Sequence, residues 1–348
     1  MNELIVIDGR QGEGGGQVLR TSLALAVALG RPVRIEHVRA GRKKPGLMRQ
    51  HLASVRAAAE VSGGGAVGAE LGSTTVELHP AGVGARAGRY RFTVGSAGST
   101  MLVLQTVLAP LLVADGPSEL ELEGGTHNPM APAFDFLARS FAPQVERMGG
   151  RLTLELERPG FFPAGGGRVR ARIEPATAPR PLVLLERGAA GRPRTEILLA
   201  QLPHEVAARE WKVLQRAFHW QSSSCNIDER ADSVGPGNVI SVQLPSEHVT
   251  TVCTAFGEKG LRAEAVARLV AQDVRRHLDS DAPVCEHLAD QLMLPMALLG
   301  GGEYRATSLS LHARTNAEVV NRFLPGAVTL DETEGRVVVR APAARDSA

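Results

Sequence analysis

The chain has 348 residues, enough for one large domain or two unequal ones, and its 43% apolar and 22% charged residues suit a sizeable core. A net charge of +2 excludes wholesale wrapping of nucleic acid, and an aromatic share of 4% weakens any reading built on stacking platforms. Cys225, Cys253 and Cys285 are odd in number and widely spaced, which suits a reducing compartment and gives no zinc pattern.

After Met1-Asn2-Glu3 the apolar Leu4 to Ile7 reads as a strand, not as part of a signal peptide. Gly12 to Leu29 follows as a glycine-rich turn and a long apolar helix, then Val33 to Val38 as a strand and Leu47 to Glu60 as an amphipathic helix. Thr74 to His79 with Tyr90 to Val94 reads as a pair of strands. The succession recurs as a helix over Gly98 to Ala114, a strand over Glu119 to Glu123 and a helix over Pro132 to Met148. Strands over Leu152 to Glu157 and Arg168 to Ile173 complete it. It returns from Glu286 to Leu299, Glu303 to Leu309, Asn316 to Phe323, Val328 to Asp331 and Arg336 to Arg340.

Three such βα units predict a large α+β or α/β domain with pseudo-threefold repetition, each unit holding about two helices and a four-stranded sheet. Their polar loops are expected to face one cleft. Pro175, Pro179 and Pro181 announce an extra segment that Asp279 to Pro283 closes. Strands near Leu182 to Leu185, Thr195 to Ala200, Ser222 to Asp228, Val239 to Gln243 and Thr250 to Phe256 are expected in it. With helices over His204 to Phe218 and Ala263 to Leu278, they make a self-sufficient α+β set. The expected organisation is a large domain over 1–180 and 282–340, an inserted small domain over 181–281, and a frayed tail over 341–348. Leu102 to Val113, the longest apolar stretch, is too short for a bilayer, so a soluble, cytoplasmic protein without membrane contact is expected.

Gly12-Glu-Gly-Gly-Gly-Gln17 follows a strand and opens a helix, where backbone amides can cradle an anion; it is also compatible with a plain tight turn. Gln17 stands where a dinucleotide fingerprint needs its third glycine, and none of the four lysines completes a Walker pattern. Glu13 could hold a divalent metal and Arg20 could grip a phosphate at two points. Arg31 to His51 concentrates seven basic residues against Glu36, which reads either as a solvated surface or as a phosphate-binding patch for RNA or a nucleotide. His312 lies in the loop expected before the Asn316 helix, capped by Thr315 or Asn316, where an imidazole near phosphate groups could be a nucleophile or an acid/base. Asp290 and Gln291 open a helix and read as capping residues or as nucleotide contacts.

The segments Asp8-Gly-Arg-Gln-Gly-Glu-Gly-Gly-Gly-Gln-Val-Leu-Arg20, Arg39-Ala-Gly-Arg-Lys-Lys-Pro-Gly-Leu-Met-Arg-Gln-His51 and Gly95-Ser-Ala-Gly-Ser-Thr100 carry a resemblance. So do Gly124-Gly-Thr-His-Asn-Pro129, Phe162-Pro-Ala-Gly-Gly-Gly167, Leu288-Ala-Asp-Gln-Leu-Met-Leu-Pro-Met-Ala297 and Leu311-His-Ala-Arg-Thr-Asn316. In this order, over about residues 3 to 340, the chain resembles the RNA 3′-terminal phosphate cyclases. The resemblance implies a large domain of three βα repeats with a small inserted domain, and ATP-dependent conversion of an RNA 3′-phosphate into a 2′,3′-cyclic phosphate. It implies His312 as the adenylated nucleophile. It also implies Arg20, Arg39, Arg42, Gln50 and His51 around phosphates and the RNA end, Glu13 at a divalent metal (Mg or Mn), and Gln105, Pro132, His287, Asp290 and Gln291 in the nucleotide pocket.

Two residues depart from the family pattern. Pro159 stands where a polar or basic residue is more usual, and His287 stands where a tyrosine stacks on adenine, although histidine also stacks. Cyclase-like proteins that act in ribosome assembly without chemistry lack the adenylated histidine, which is present here. Enolpyruvyl transferases need a lysine-rich site that four lysines do not furnish, and lysine adenylation needs Lys-x-Asp-Gly where this chain has Val6-Ile-Asp-Gly9. Oligomeric state stays open, a homodimer included.

Overall fold

Residues 3–333 and 335–342 are described by a computed structural model of the chain; positions 343–348 of the expected tail lie outside them. β1 (Ile5–Asp8) and β2 (Val33–Glu36) alternate in burial and run parallel, so a crossover must join them, and α1 (Gly16–Leu29) supplies it. α2 (Arg49–Ser62) leads to β3 (Gly65–Val67) and β4 (Val76–His79), closing a sheet of order β1-β2-β4-β3.

The second sheet starts with β5 (Arg89–Thr93), α3 (Thr100–Leu112) and β6 (Ser118–Gly124). A helical stretch follows in three parts: α4 (Phe134–Phe136), a π-helical turn (Leu137–Phe141) and α5 (Ala142–Arg147). β7 (Arg151–Arg158) and β8 (Gly167–Glu174) complete the order β5-β6-β8-β7.

β9 (Leu182–Leu184) precedes a long interruption made of β10 (Arg194–Ala200), α6 (His204–Phe218), β11 (Cys225–Arg230), β12 (Gly237–Pro245), β13 (Thr250–Phe256) and α7 (Ala263–Leu278). These four strands form their own sheet, β11-β10-β12-β13, over a separate core that includes Ile197, Leu214, Ile240, Val266 and Val270. The chain then continues with α8 (Glu286–Leu298), β14 (Gly302–Ala306), α9 (Leu311–Phe323), β15 (Thr329–Thr333) and β16 (Arg336–Ala341). The last sheet has the order β9-β14-β16-β15. It shares its pattern with the first two: the first pair of strands is parallel and the other pairings are antiparallel.

Four readings of the sequence change. Tyr90 to Val94 does not pair with Thr74 to His79; β5 opens the second sheet, and the partner of β4 is β3, whose Gly65-Ala-Val67 is too short and small to signal a strand. Leu182 to Leu185 belongs to the last sheet, because Leu182 to Leu184 pairs in parallel with Gly302 to Tyr304. Pro132 to Met148 is not one regular helix but the three parts given above. The final helix begins at Leu311 and not at Asn316, because Ser310 caps it: its hydroxyl accepts from the Ala313 amide at 3.2 Å.

The main core joins one face of the three sheets to the helices, with Ile7, Leu120 and Val339 from strands beside Leu23, Leu104 and Met293 from helices. In α1 Gln17 to Ala28 is buried apart from Arg20, as expected of a helix with neighbours on every side; it packs against α2, α3 and α9. Its position is what matters for function, since its first turn ends up among loops from all three sheets. Among the described residues no helix is long and apolar enough to cross a membrane.

Candidate active site

The glycine loop before α1 can only be made by glycine at two points. Gly12 and Gly14 have φ of +54° and +56°, and a Cβ on Gly12 would stand 1.9 Å from Thr315 Oγ1. That close approach fastens the loop to α9, with the Glu13 amide donating to Thr315 Oγ1 at 3.2 Å. Gly15, the N-cap of α1, has no side chain to cover the first amides of the helix.

Glu13 is the hub. Its side chain is only 6% exposed, and Oε2 accepts from Arg42 at 2.6 Å and faces His312 Nδ1 at 3.1 Å. Oε1 accepts from the Gln17 amide at 3.3 Å. Burial pushes the carboxyl up, but His312 and Arg42 outweigh it and hold Glu13 below the ordinary carboxylate range. The hydrogen bond to Glu13 in turn raises His312 above an ordinary histidine. His312 lies in the first turn of α9 and is half-exposed. With its Nδ1 on a carboxylate, the neutral ring carries its proton there and its lone pair on Nε2. The half-exposed ring lines the cleft described below.

Beneath this pair lies a buried polar network. Arg20 Nη2 donates to Gln17 Oε1 at 2.8 Å, and Gln17 Nε2 reaches Asp290 Oδ1 at 3.4 Å and Thr21 Oγ1 at 3.3 Å. Gln291 donates to Asp290 Oδ2 at 2.9 Å and accepts from Gln105. Thr21 donates to Asn316 at 2.7 Å, and Asn316 donates to the Asp290 carbonyl at 2.9 Å. Burial drives Arg20 down to about 10 and Asp290 up to about 6. His51 is pushed down to about 3 by burial and by Arg20, Arg39 and Arg42, so it is neutral near pH 7. A Cβ on Gly16 would lie 2.7 Å from His51 Nε2 and 2.8 Å from Arg20 Nη1. Arg39 turns the basic loop at φ 57° and ties it by donating to the Lys44 and Gly46 carbonyls, both at 2.8 Å. Gln50 accepts from the Ser99 amide at 3.0 Å.

These groups open on a cleft of about 790 Å³. Arg20, Arg42, Gln105, Pro132, His287, Asp290, Gln291 and His312 all line it, although they come from six separate stretches of sequence. Glu13 stands just behind, whereas Arg39, Gln50 and His51 lie outside the lining and support the basic loop and the start of α1 and α3. The sequence did not reveal Gln17 or the wall formed by Thr251 to Thr254 on β13 and by Asp273 and Arg276 on α7. Gln17 was legible in principle as the first-turn polar residue of an otherwise apolar helix; the wall residues carry no motif.

Glu13 does not suit a metal as its surroundings stand. Both its oxygens already accept hydrogen bonds, two of its neighbours are cationic or can become so, and among the described residues no three acidic, histidine or cysteine side chains converge. In this geometry Glu13 holds His312 and Arg42.

Residues 11–330 match the sequence model of the family described as RNA 3′-terminal phosphate cyclase. A protein of that name from Koribacter versatilis is 48% identical over 331 residues, which cover 95% of this chain and 93% of that one. Its namesake from Salmonella paratyphi C is 48% identical over 339 residues, 97% of each chain. Another, from Salmonella typhimurium, is 47% identical over 340 residues, 98% of this chain and 99% of its own. Similarity of this extent, running through the glycine loop, the basic loop and the His312 helix alike, places the chain in the RNA 3′-terminal phosphate cyclase family, a family of enzymes.

Proposed function

We propose that this enzyme uses ATP to convert an RNA 3′-phosphate into a 2′,3′-cyclic phosphate, with His312 as the group that carries AMP. The observation that supports this most is the Glu13–His312 contact at 3.1 Å, which fixes the proton on Nδ1 and leaves Nε2 as the nucleophile. Nε2 attacks the α-phosphorus of ATP; an N–P bond forms, the bond to the β-phosphate oxygen breaks, and pyrophosphate leaves. An oxygen of the RNA 3′-phosphate then attacks the same phosphorus and releases the histidine. Finally O2′ attacks the 3′-phosphate phosphorus, loses its proton and expels AMP. The last step is intramolecular, with effective molarities of about 10⁵ M or more for well-aligned groups, so it needs chiefly positioning.

Arg20 and Arg42 offset the charge of the phosphates, while Gln105, Pro132, His287, Asp290 and Gln291 suit the nucleoside end. Arg39, Gln50 and His51 shape the loop that receives the RNA terminus. No step is routed through a divalent cation. We read the three sheets of common strand order as copies of one β-α-β-α-β-β unit, with the small domain inserted after β9. The free cysteines accord with a cytoplasmic location.

The test is incubation with α-labelled ATP and a magnesium or manganese salt, then denaturing separation, and conversion of a 3′-phosphorylated RNA in parallel. Label that is acid-labile and alkali-stable is expected on the protein, with cyclic ends on the RNA. Folded wild-type protein that takes no label sinks the histidine-AMP reading. Arg42→Ala is expected to slow labelling about 10²-fold with folding intact; wild-type rates would remove the basic loop from the site.

Glu13→Gln gives a pH signature. The carboxylate stabilises the imidazolium, so protonation of His312 suppresses adenylation from below a pKa that is raised above the ordinary value. A neutral glutamine removes that stabilisation, and the acidic limb of the rate profile should move to lower pH while the plateau falls. A limb that stays in place would dissociate Glu13 from the titration of His312.

A further inference from the structure

The Gly124 to Pro129 segment has no part in the steps above, yet Thr126 and His127 are almost completely buried. His127 Nδ1 meets Thr126 Oγ1 at 2.8 Å, Nε2 meets Asp135 Oδ2 at 3.2 Å, and the ring stacks on Phe161 with centroids 5.5 Å apart. The same Asp135 oxygen accepts from Ser241 Oγ at 3.1 Å. Burial works against the charge on Asp135, but the bond from His127 outweighs it and keeps the carboxyl below its ordinary value.

Ser241 comes from the separate β11-β10-β12-β13 sheet. It sits on β12 directly opposite Thr254 of β13, and Thr254 lines the cleft. Asp135 sits on α4 between Ala133 and Phe136, which also line the cleft, and α4 packs directly against β13. The contact surface around this bond is apolar: Phe161 clusters with Leu198, Ala200 and Val239, and a Cβ on Gly237 would stand 2.0 Å from the Phe161 ring. An apolar surface opposes separation but tolerates sliding, because dispersion contacts have little directionality. A hydrogen bond to a charged group is directional and fixes register.

We infer that His127, Asp135 and Ser241 are positioning residues: the histidine orients the aspartate, the aspartate holds the serine, and this bond sets the spacing of the two cleft walls and so the affinity for ATP. The inference rests on the reading of the cleft as the ATP site. Without the bond the walls sample wider spacings, and apparent affinity falls by the fraction of time spent in the competent one.

Ser241→Ala removes one hydroxyl, and other links between the two sides persist, among them Gln144 and Arg147 on the His248 carbonyl and Arg230 on the Glu157 carbonyl. Titration calorimetry of the full chain with ATP should show Kd raised about tenfold in Ser241→Ala. The KM for ATP in adenylation should rise in step, with kcat within about twofold, since no reacting group is touched. Asp135→Ala should weaken binding at least as much, and the double variant no further than Asp135→Ala alone, because both act through one bond. A merely structural role would lower the unfolding temperature and leave Kd in place. ATP affinity within twofold of wild type in folded Ser241→Ala, or effects that add in the double variant, overturns the proposal; Ser241→Ala decides if Asp135→Ala does not fold. Wild-type protein that binds ATP but takes no label leaves this proposal standing and removes the histidine-AMP reading, whereas failure to bind ATP at all overturns both.

Discussion

Replacing His312 by alanine should abolish covalent labelling from ATP, a loss of at least about 10³-fold, while ATP still binds within a few-fold of wild type. The asymmetry follows from where the side chain stands. His312 is half-exposed in the first turn of α9, and among the described residues its polar contact is with Glu13, which keeps Arg42 as a partner when the ring is gone. Stability should therefore change by no more than about 0.5 kcal/mol, as for surface positions generally. Labelled-ATP transfer, ATP titration and thermal unfolding of the same preparation separate the three quantities. An equal loss of binding and labelling would make the ring a ligand for ATP and not its acceptor.

Arg20→Met should be costlier to the fold and nearly as costly to turnover. The side chain is half-buried, lines the cleft and donates to Gln17, which itself reaches Asp290. Methionine fills much of the same volume without charge, so phosphate stabilisation is lost, which corresponds to about 10²–10³-fold in adenylation rate. Removing one partner from a buried charged set also destabilises by about 3 kcal/mol. Part of this is relieved by protonation of Asp290, whose pKa is already pushed up to about 6 by burial and should rise further once Arg20 no longer opposes that shift. Stability of the variant should therefore fall as pH rises through that value. Arg20→Lys should fall between the two, since an ammonium keeps the charge but not the planar fork. Thermal unfolding between pH 5 and 8 with single-turnover labelling checks this, and a variant as active as wild type would remove Arg20 from phosphate binding.

What the sequence made legible is what depends on neighbours along the chain. Glycines at 12 and 14, the alternation in Ser118 to Gly124, and the apolar run of α1 each report a local backbone or face. Pairings over long separations were not legible: β9 is joined to β14 only in space, and β5 looked like the partner of β4 merely because it came next. The start of α9 was misplaced although Ser310 offered a capping residue, because the apolar periodicity is clearer after Asn316. In the site, residues within motifs were found, but the Thr251 to Thr254 wall was not, since only tertiary folding brings that strand to the same cleft as His287. Glu13 was found without its neighbours: a carboxylate in a glycine loop suggests a cation, and nothing along the chain announces that it meets Arg42 and His312.

The separation of β9 from β14 has a consequence for biosynthesis. During vectorial synthesis the first two sheets, whose strands are close in sequence, can close as they emerge, and the β10 to α7 body can follow with its own core. The last sheet must wait for β14. Only then can α9 dock on the glycine loop through Thr315 and bring His312 to Glu13. A nascent chain thus carries its glycine loop well before the helix that fastens it, and the Glu13–His312 contact forms only after α9 has been made.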